Sequence, residues 1–525
     1  TAPLREPRLT APDDRFEMAG GCYTMAGRKV FFQATDLGRY LLVGPNAAVL
    51  EARSDGTAAW AAKPSVRSDW VVTHADGLFS FRLDDGRHLR ESGTALVTGP
   101  TPTGFTLRLT TGCTAYPDIE TGVTGDPHAG ITSFQEVRGY VDPHIHGMVY
   151  EFLGGDVHCG KPFHKYGAPA ALVDCPDHTL TGGKGALLEA LLSGEASHDP
   201  VGWPTFKDWP APESLTHEGM YHRWVERAWR GGQRVMVNLL TENNKLCQLY
   251  PIKHNSCDDM DSVRLQAQRA REMERYVDAQ YGGPGKGWYR IVTTPWQARE
   301  VINAGKLAVI LGIETSIPFG CTQHLGIPAC STAEIDAQLD EVWKLGVRQM
   351  ELVNKFDNAL SGVAGDSGEV GVVVNTANFL ETLSFWRMQH CEPADGESHD
   401  QNQLTLPIAA EQQDALFGAV ALLSLPLQAL PLYPSAPHCN SMGLTRLGTH
   451  LINRMAENPL LDAVSPMPPL RTLIIGCKGQ LGRALAEVFP DADQVDLDEF
   501  DIASPQEVHD WPWGEYDVVL NAAAY

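Results

Sequence analysis

The stretch Gly305-Lys306-Leu307-Ala308-Val309-Ile310-Leu311-Gly312-Ile313-Glu314 is a near-continuous apolar run that ends on a carboxylate. Strands buried on both faces lack polar alternation, and they belong to parallel sheets covered by crossover helices. A charge at the end of such a strand either stays buried at high cost or finds a partner. A metal ion is one such partner; a structural salt bridge is the other reading.

Working outward, similar runs occur at Gly139-Tyr140-Val141, Arg234 to Leu240 and Val347 to Val353, each later one after a helical stretch. Ser262 to Gln280 places Val263, Ala267, Ala270 and Val277 on one helical face. Strand and helix alternate from about residue 136, so a TIM-type (β/α) barrel is the leading candidate. Residues 136–457 would supply about four of its eight strands, an incomplete barrel.

Val141-Asp142-Pro143-His144-Ile145-His146-Gly147 falls on the first of these strands. Residues i and i+2 of a strand point the same way, so His144 and His146 can offer two imidazoles to one cation. Two nearby histidines are also common without any ligand role. Glu314 at the end of its own strand supplies the third ligand, and a metal-bound hydroxide would be the nucleophile. His158, His164 and His178 follow the first strand and either line the site or are plain loop residues. Gly282 to Gly287 has the glycines of a phosphate loop but no Ser or Thr after Lys286, and reads as a helix-to-strand connection.

The two ends differ from this middle. Residues 15 to about 120 hold short alternating runs divided by turn-formers, an all-β domain over 1–135. Asp36-Leu37-Gly38-Arg39 and Asp84-Asp85-Gly86-Arg87 repeat one turn, which suggests a β-trefoil or other small barrel; a β-sandwich remains open. Prolines cluster over 458–470 as a linker. The strand Thr472 to Ile475 then leads into Gly476-Cys477-Lys478-Gly479-Gln480-Leu481-Gly482, a glycine triad between strand and helix. Residues 471–525 thus read as the start of an α/β Rossmann domain, with Asp496 and Asp498 about twenty residues on, where a carboxylate meets ribose.

Two resemblances rest on these motifs. His144 and His146 resemble the first-strand ligands of the amidohydrolase superfamily. The GKLAVILGIE stretch is similar to the strand bearing the metal-bridging Glu of the membrane dipeptidase family. Leu345-Gly346-Val347-Arg348 and Gly443-Leu444-Thr445-Arg446-Leu447-Gly448 resemble later landmarks of that family. The resemblance covers about 136–457 and implies a metal-dependent hydrolase of amide- or peptide-type bonds, holding zinc through His144, His146 and Glu314. It departs at the first strand, where the dipeptidases carry Asp in place of one His. The family's later His ligands and its acid/base Asp have no counterpart here, and no catalytic residue is assigned. Lys355 stands near where other amidohydrolases carry a carbamylated lysine, with an ion-paired lysine as the competing reading.

Residues 458–525, through GCKGQLG, VDLDEFDI and DVVLNAAAY, resemble the N-terminal part of the dTDP-4-dehydrorhamnose reductases. That resemblance implies NADPH or NADH bound by Gly476, Gly479, Gln480, Leu481, Gly482, Asp496, Asp501, Ile502, Ala522, Ala523 and Ala524. The family's catalytic Tyr and Lys would lie past residue 525. Thr1 is no initiator Met and Tyr525 falls inside a motif, so a fragmentary or chimeric chain, joined near residues 457–459 and without activity, is a third expectation.

The 525 residues, with 41 basic against 65 acidic side chains and a net charge of −24, disfavour nucleic acid and anionic membrane as partners. A small-molecule substrate is expected, and no membrane span. The apolar run Ala415 to Leu432 is interrupted by Pro426 and Pro431 and reads as a buried or groove-covering segment. Among the 11 cysteines, Cys247 with Cys257 and Cys321 with Cys330 lie close in sequence. Disulfides in an exported hydrolase fit that pattern, with scattered reduced cysteines as the alternative and a cytoplasmic reductase part by resemblance.

Overall fold

The computed structural model describes residues 12, 14–125, 127, 138–182, 201–209, 216–366, 368–390, 438–456, 472–479, 482–483, 486, 492–501, 504–512 and 518–521. Ten short strands build the first sheet: β1 (Cys22–Met25), β2 (Arg28–Asp36), β3 (Arg39–Val43), β4 (Val49–Ala52), β5 (Ala58–Ala61), β6 (Trp70–Ala75), β7 (Leu78–Arg82), β8 (His88–Ser92), β9 (Ala95–Gly99) and β10 (Arg108–Leu109). They pair antiparallel in the order β10-β1-β2-β3-β6-β7-β8-β9, with β4 also on β3 and β5 on β4. The repeated turns are both present. Gly38 (φ 69°) and Gly86 (φ 87°) take the left-handed conformation that glycine adopts freely. Phe32, Tyr40, Trp70 and Phe81 fill the interior of this large antiparallel sheet.

The second sheet is parallel, as the apolar runs require: β11 (Tyr140–Ile145), β12 (Gln233–Glu242), β13 (Tyr289–Ile291) and β14 (Leu307–Thr315), followed after the short hairpin β15 (Gln323–His324) and β16 (Ile327–Pro328) by β17 (Val347–Met350). Its order is β11-β12-β14, and the far edge of β14 is forked. β13 pairs with Leu307 to Val309, and β17 with Leu311 to Ile313. Among the described residues this sheet does not close into a barrel. The strand β13 was not anticipated, because three residues are too few to show a period.

Helix Asp259–Gln280 begins at Asp258, whose carboxylate accepts the amides of Met260 and Asp261 at 3.0 Å. Val263, Ala267, Ala270 and Val277 are buried against the parallel sheet, as their spacing requires. The same helix reaches the first sheet at its C-terminal end. There Ala279 enters that core, Gln280 Nε2 donates to the Ala34 carbonyl at 2.6 Å, and Arg275 pairs with Asp36 at 2.6 Å. The Gly282–Gly287 loop is the plain connection expected. Asp278 accepts the amides of Gly285 and Gly287 at 2.9 and 2.8 Å, so the donors a phosphate would need are already engaged.

Beyond β18 (Met388–His390) and β19 (His438–Asn440), a third, parallel sheet follows: β20 (Thr472–Ile475), β21 (Asp493–Val495) and β22 (Val518–Asn521), in the order β21-β20-β22. The proline-rich linker and the apolar run Ala415 to Leu432 lie outside the described residues. Among those described, no helix is long and apolar enough to cross a membrane. Among the described residues, four disulfides join Cys22 to Cys113, Cys159 to Cys175, Cys247 to Cys257 and Cys321 to Cys330. Both pairs singled out by proximity are among them.

Candidate metal centre

The C-terminal ends of parallel strands are where this kind of sheet exposes its functional groups. Ile145 of β11 registers with Asn238 of β12, and Thr241 of β12 with Glu314 of β14. Side chains alternate along each strand, so His144, His146 and Glu314 fall on one face of the sheet. An irregularity in pairing between Asp142 and Ile145 accompanies the shift to that register. Glu242, the last residue of β12, alternates with Thr241 and points to the other face. There it accepts the amides of Leu153 and Asn243 at 3.1 and 2.9 Å, and burial pushes its carboxyl up to about 7.

One Glu314 oxygen meets both imidazoles, 3.1 Å from His144 Nε2 and 2.5 Å from His146 Nε2. The ring centroids of the two histidines are 5.1 Å apart. All three ligand atoms lie within 4.8 Å of one another, an arrangement that a single cation can bridge. Burial works to raise the Glu314 carboxyl, but the hydrogen bonds from His144 and His146 outweigh it and hold it at about 2. His144 is raised in turn, chiefly by its bond to Glu314. The histidine side chains are 40% and 37% exposed against 10% for Glu314, so the cluster opens toward solvent on the imidazole side.

Glu351, just past β17, completes the constellation, with Oε1 3.6 Å from His144 Nδ1. Sequence reasoning missed it, although Val347 to Glu351 is another strand ending on a carboxylate. Burial, then the charge of Glu314, pushes its carboxyl up to about 7. In the unfolded chain it titrates near 4.5, so the folded protein loses stability as pH rises between these values and carries the whole penalty above 7. Glu351→Gln should therefore stabilise the metal-free protein by roughly 1–3 kcal/mol above pH 7 and change nothing below pH 4. Urea titrations in the presence of chelator at the two pH values check this; equal effects at both would refute it.

The other candidates divide. Lys355 pairs with Asp366 at 2.8 Å, so the ion-paired reading describes it. His164 is lowered to about 4, chiefly by burial, and its Nδ1 accepts the Tyr166 amide at 3.0 Å. His158 is buried near Glu218, and His178 belongs to a separate cluster with Cys159, Cys175 and His217.

In the third sheet Gly476 is left-handed (φ 77°), and a Cβ on Gly482 would lie 2.1 Å from the Gly476 carbonyl oxygen. Asp496 accepts the Lys478 amide at 2.7 Å and the Leu497 amide at 2.9 Å, and Asp498 pairs with the Lys478 ammonium. The Gly479 amide bonds the Gly476 carbonyl at 3.2 Å, and the Asp501 amide donates to Glu507 at 2.8 Å. Gln480, Leu481, Ile502, Ala522, Ala523 and Ala524 lie outside the described residues.

No protein-family model and no curated protein matches the chain. Among solved structures, the one titled "Crystal structure of Cry35Ab1" is similar at 16% identity, over 19% of this chain and 30% of that one, with a TM-score of 0.14. The match thus spans under a third of that protein's length, and a score so low carries no argument about fold or function.

Proposed function

We propose that residues 136–457 form a divalent-metal-dependent hydrolase of amide- or peptide-type bonds, built on part of a TIM-type barrel and preceded by a β-trefoil-like accessory module. The observation that carries this reading is the convergence of His144, His146 and Glu314 at the ends of β11 and β14. Two nitrogens and one carboxylate oxygen are a donor set that zinc accepts, and three protein ligands leave a position open. When bound, the cation would lower the pKa of a coordinated water to about 7 and polarise a scissile carbonyl. Glu351 sets the charge around His144, and the exposed imidazole side admits a small-molecule substrate. Elemental analysis of the purified chain, with hydrolysis of a dipeptide panel by the unmutated and His146→Ala proteins, tests the proposal. A chain free of divalent metal would sink it; bound metal without turnover would favour an inactive chimera.

A second proposal concerns residues 471–525, as the cofactor-binding start of a dTDP-4-dehydrorhamnose-type reductase that holds part of NADPH or NADH. It is favoured by the close approach at Gly482, where only a residue without Cβ fits between the loop and its helix. Gly482→Ala should weaken NADPH by about 10-fold or more, since overpacking costs about 1–3 kcal/mol there. Fluorescence titration reads this out, and no saturable binding by the unmutated chain would remove the proposal. The disulfides Cys247–Cys257 and Cys321–Cys330 support an oxidising compartment for the hydrolase part.

A further inference from the structure

Between β11 and β12 the chain builds a second ligand cluster, far from the first in composition. Cys159 and His217 are neighbours through a parallel bridge, with the Cys159 amide on the Thr216 carbonyl at 2.6 Å and the Glu218 amide on the Cys159 carbonyl at 2.8 Å. Cys175 and His178 come from one short segment, three positions apart, where Pro176 opens the turn Asp177–Thr181. One ligand atom from each of the four lies within 4.8 Å of all the others. Cys159 is 0% exposed, His178 3% and His217 4%, among Trp209, Leu172 and Tyr221.

We propose that Cys159, Cys175, His178 and His217 form a structural zinc site. Two thiolates and two neutral imidazoles around Zn2+ carry no net charge, which suits a buried position. Tetrahedral bonds of about 2.3 Å to sulfur and 2.1 Å to nitrogen place ligand atoms roughly 3.4–3.8 Å apart, so the two sulfurs, bonded to each other in this structure, would part while all four groups stay within the 4.8 Å envelope. Two cysteines with two histidines are one of the ligand sets of structural zinc sites. Four protein ligands close the coordination shell, so the role is to fasten the segment after β11, not to react.

The Cys159–Cys175 disulfide in this structure and the cation are alternative states of one pair. A thiol reductant converts the disulfide to two thiols, itself becoming a disulfide. Zinc then displaces one proton from each thiol. Among the described residues, the only ligand groups of three or more are this one and the His144 cluster.

The test uses the full chain, produced with zinc, in a His144→Ala/His146→Ala background that empties the first site. About one zinc per chain is expected to remain, and to be lost on adding Cys175→Ser or His178→Ala. Alkylation and peptide mass spectrometry should find Cys159 and Cys175 as thiols in the zinc-loaded protein. Should those variants fail to fold, cobalt substitution of the unmutated chain decides, since thiolate-to-cobalt charge transfer requires cysteine ligation. Absence of that band, zinc that survives both substitutions, or a zinc-free chain with Cys159 disulfide-bonded to Cys175 would each overturn the proposal.

Discussion

Glu314→Gln is expected to weaken the first-site cation by about 100-fold or more, the upper end of what even supporting residues of such sites contribute. The same substitution has a second signature in the metal-free protein. Glu314 is held at about 2 against 4.5 in the unfolded chain, so its contribution is complete above pH 4.5 and disappears as pH falls toward 2. His144 is raised above its ordinary 6.5, so its contribution is complete below pH 6.5 and fades as pH rises past the raised value. The two conditions overlap between pH 4.5 and 6.5, where the variant should lose the most. The shift of Glu314 sets a ceiling of about 3 kcal/mol, and solvent around the half-exposed His144 reduces it to roughly 1–2 kcal/mol. Chemical denaturation with chelator at pH 3, 5.5 and 9 measures it; a difference that ignores pH would defeat the explanation. Zinc affinity should move the opposite way, rising with pH as the imidazoles lose their protons.

Trp288→Ala should cost about 3–5 kcal/mol, the usual range for emptying an aromatic site in a core. Trp288 is 1% exposed, and its ring stacks on Trp229 with centroids 5.1 Å apart and planes 12° from parallel. Trp229 is itself fixed by a bond from its indole nitrogen to the Gly305 carbonyl at 3.0 Å. The stack therefore ties the helix His222–Arg230, which carries Trp229, to the start of β14, the strand that carries Glu314. Trp288→Phe, which keeps a ring, should retain most of the stability. A loss under about 1 kcal/mol for the alanine variant in urea would show that the cavity collapses without consequence.

Much of the middle of this fold is legible in the sequence because its signals are long. β12 and β14 are nearly continuous apolar runs, and helix Asp259–Gln280 shows its buried face through the spacing of Val263, Ala267, Ala270 and Val277. Short elements are different. β13 owes its existence to pairing with Leu307 to Val309, and three residues cannot announce that. The forked edge of β14 depends on where two distant segments end, which no local pattern records. At the site, the HxH motif and the carboxylate at the end of β14 were readable because strand geometry dictates their direction. Glu351 obeys the same rule and needed only its consistent use. The Cys159, Cys175, His178 and His217 cluster was not readable, since the bridge that joins Cys159 to His217 spans two segments far apart in the chain. Close sequence spacing pointed to two disulfides, with reduced cysteines as the alternative, whereas Cys22 and Cys113 are 91 residues apart.

The helix Asp259–Gln280 serves as a common axle for two bodies, with the parallel sheet on its flank and the antiparallel sheet at its far end. An α-helix turns about 100° and advances 1.5 Å with each residue. One residue added near Glu272 would swing Arg275, Ala279 and Gln280 about a quarter-turn away from Asp36 and Ala34, while Val263 and Ala267 kept their places. A change in the length of this rod would therefore uncouple the antiparallel sheet from the sheet that carries His144, His146 and Glu314.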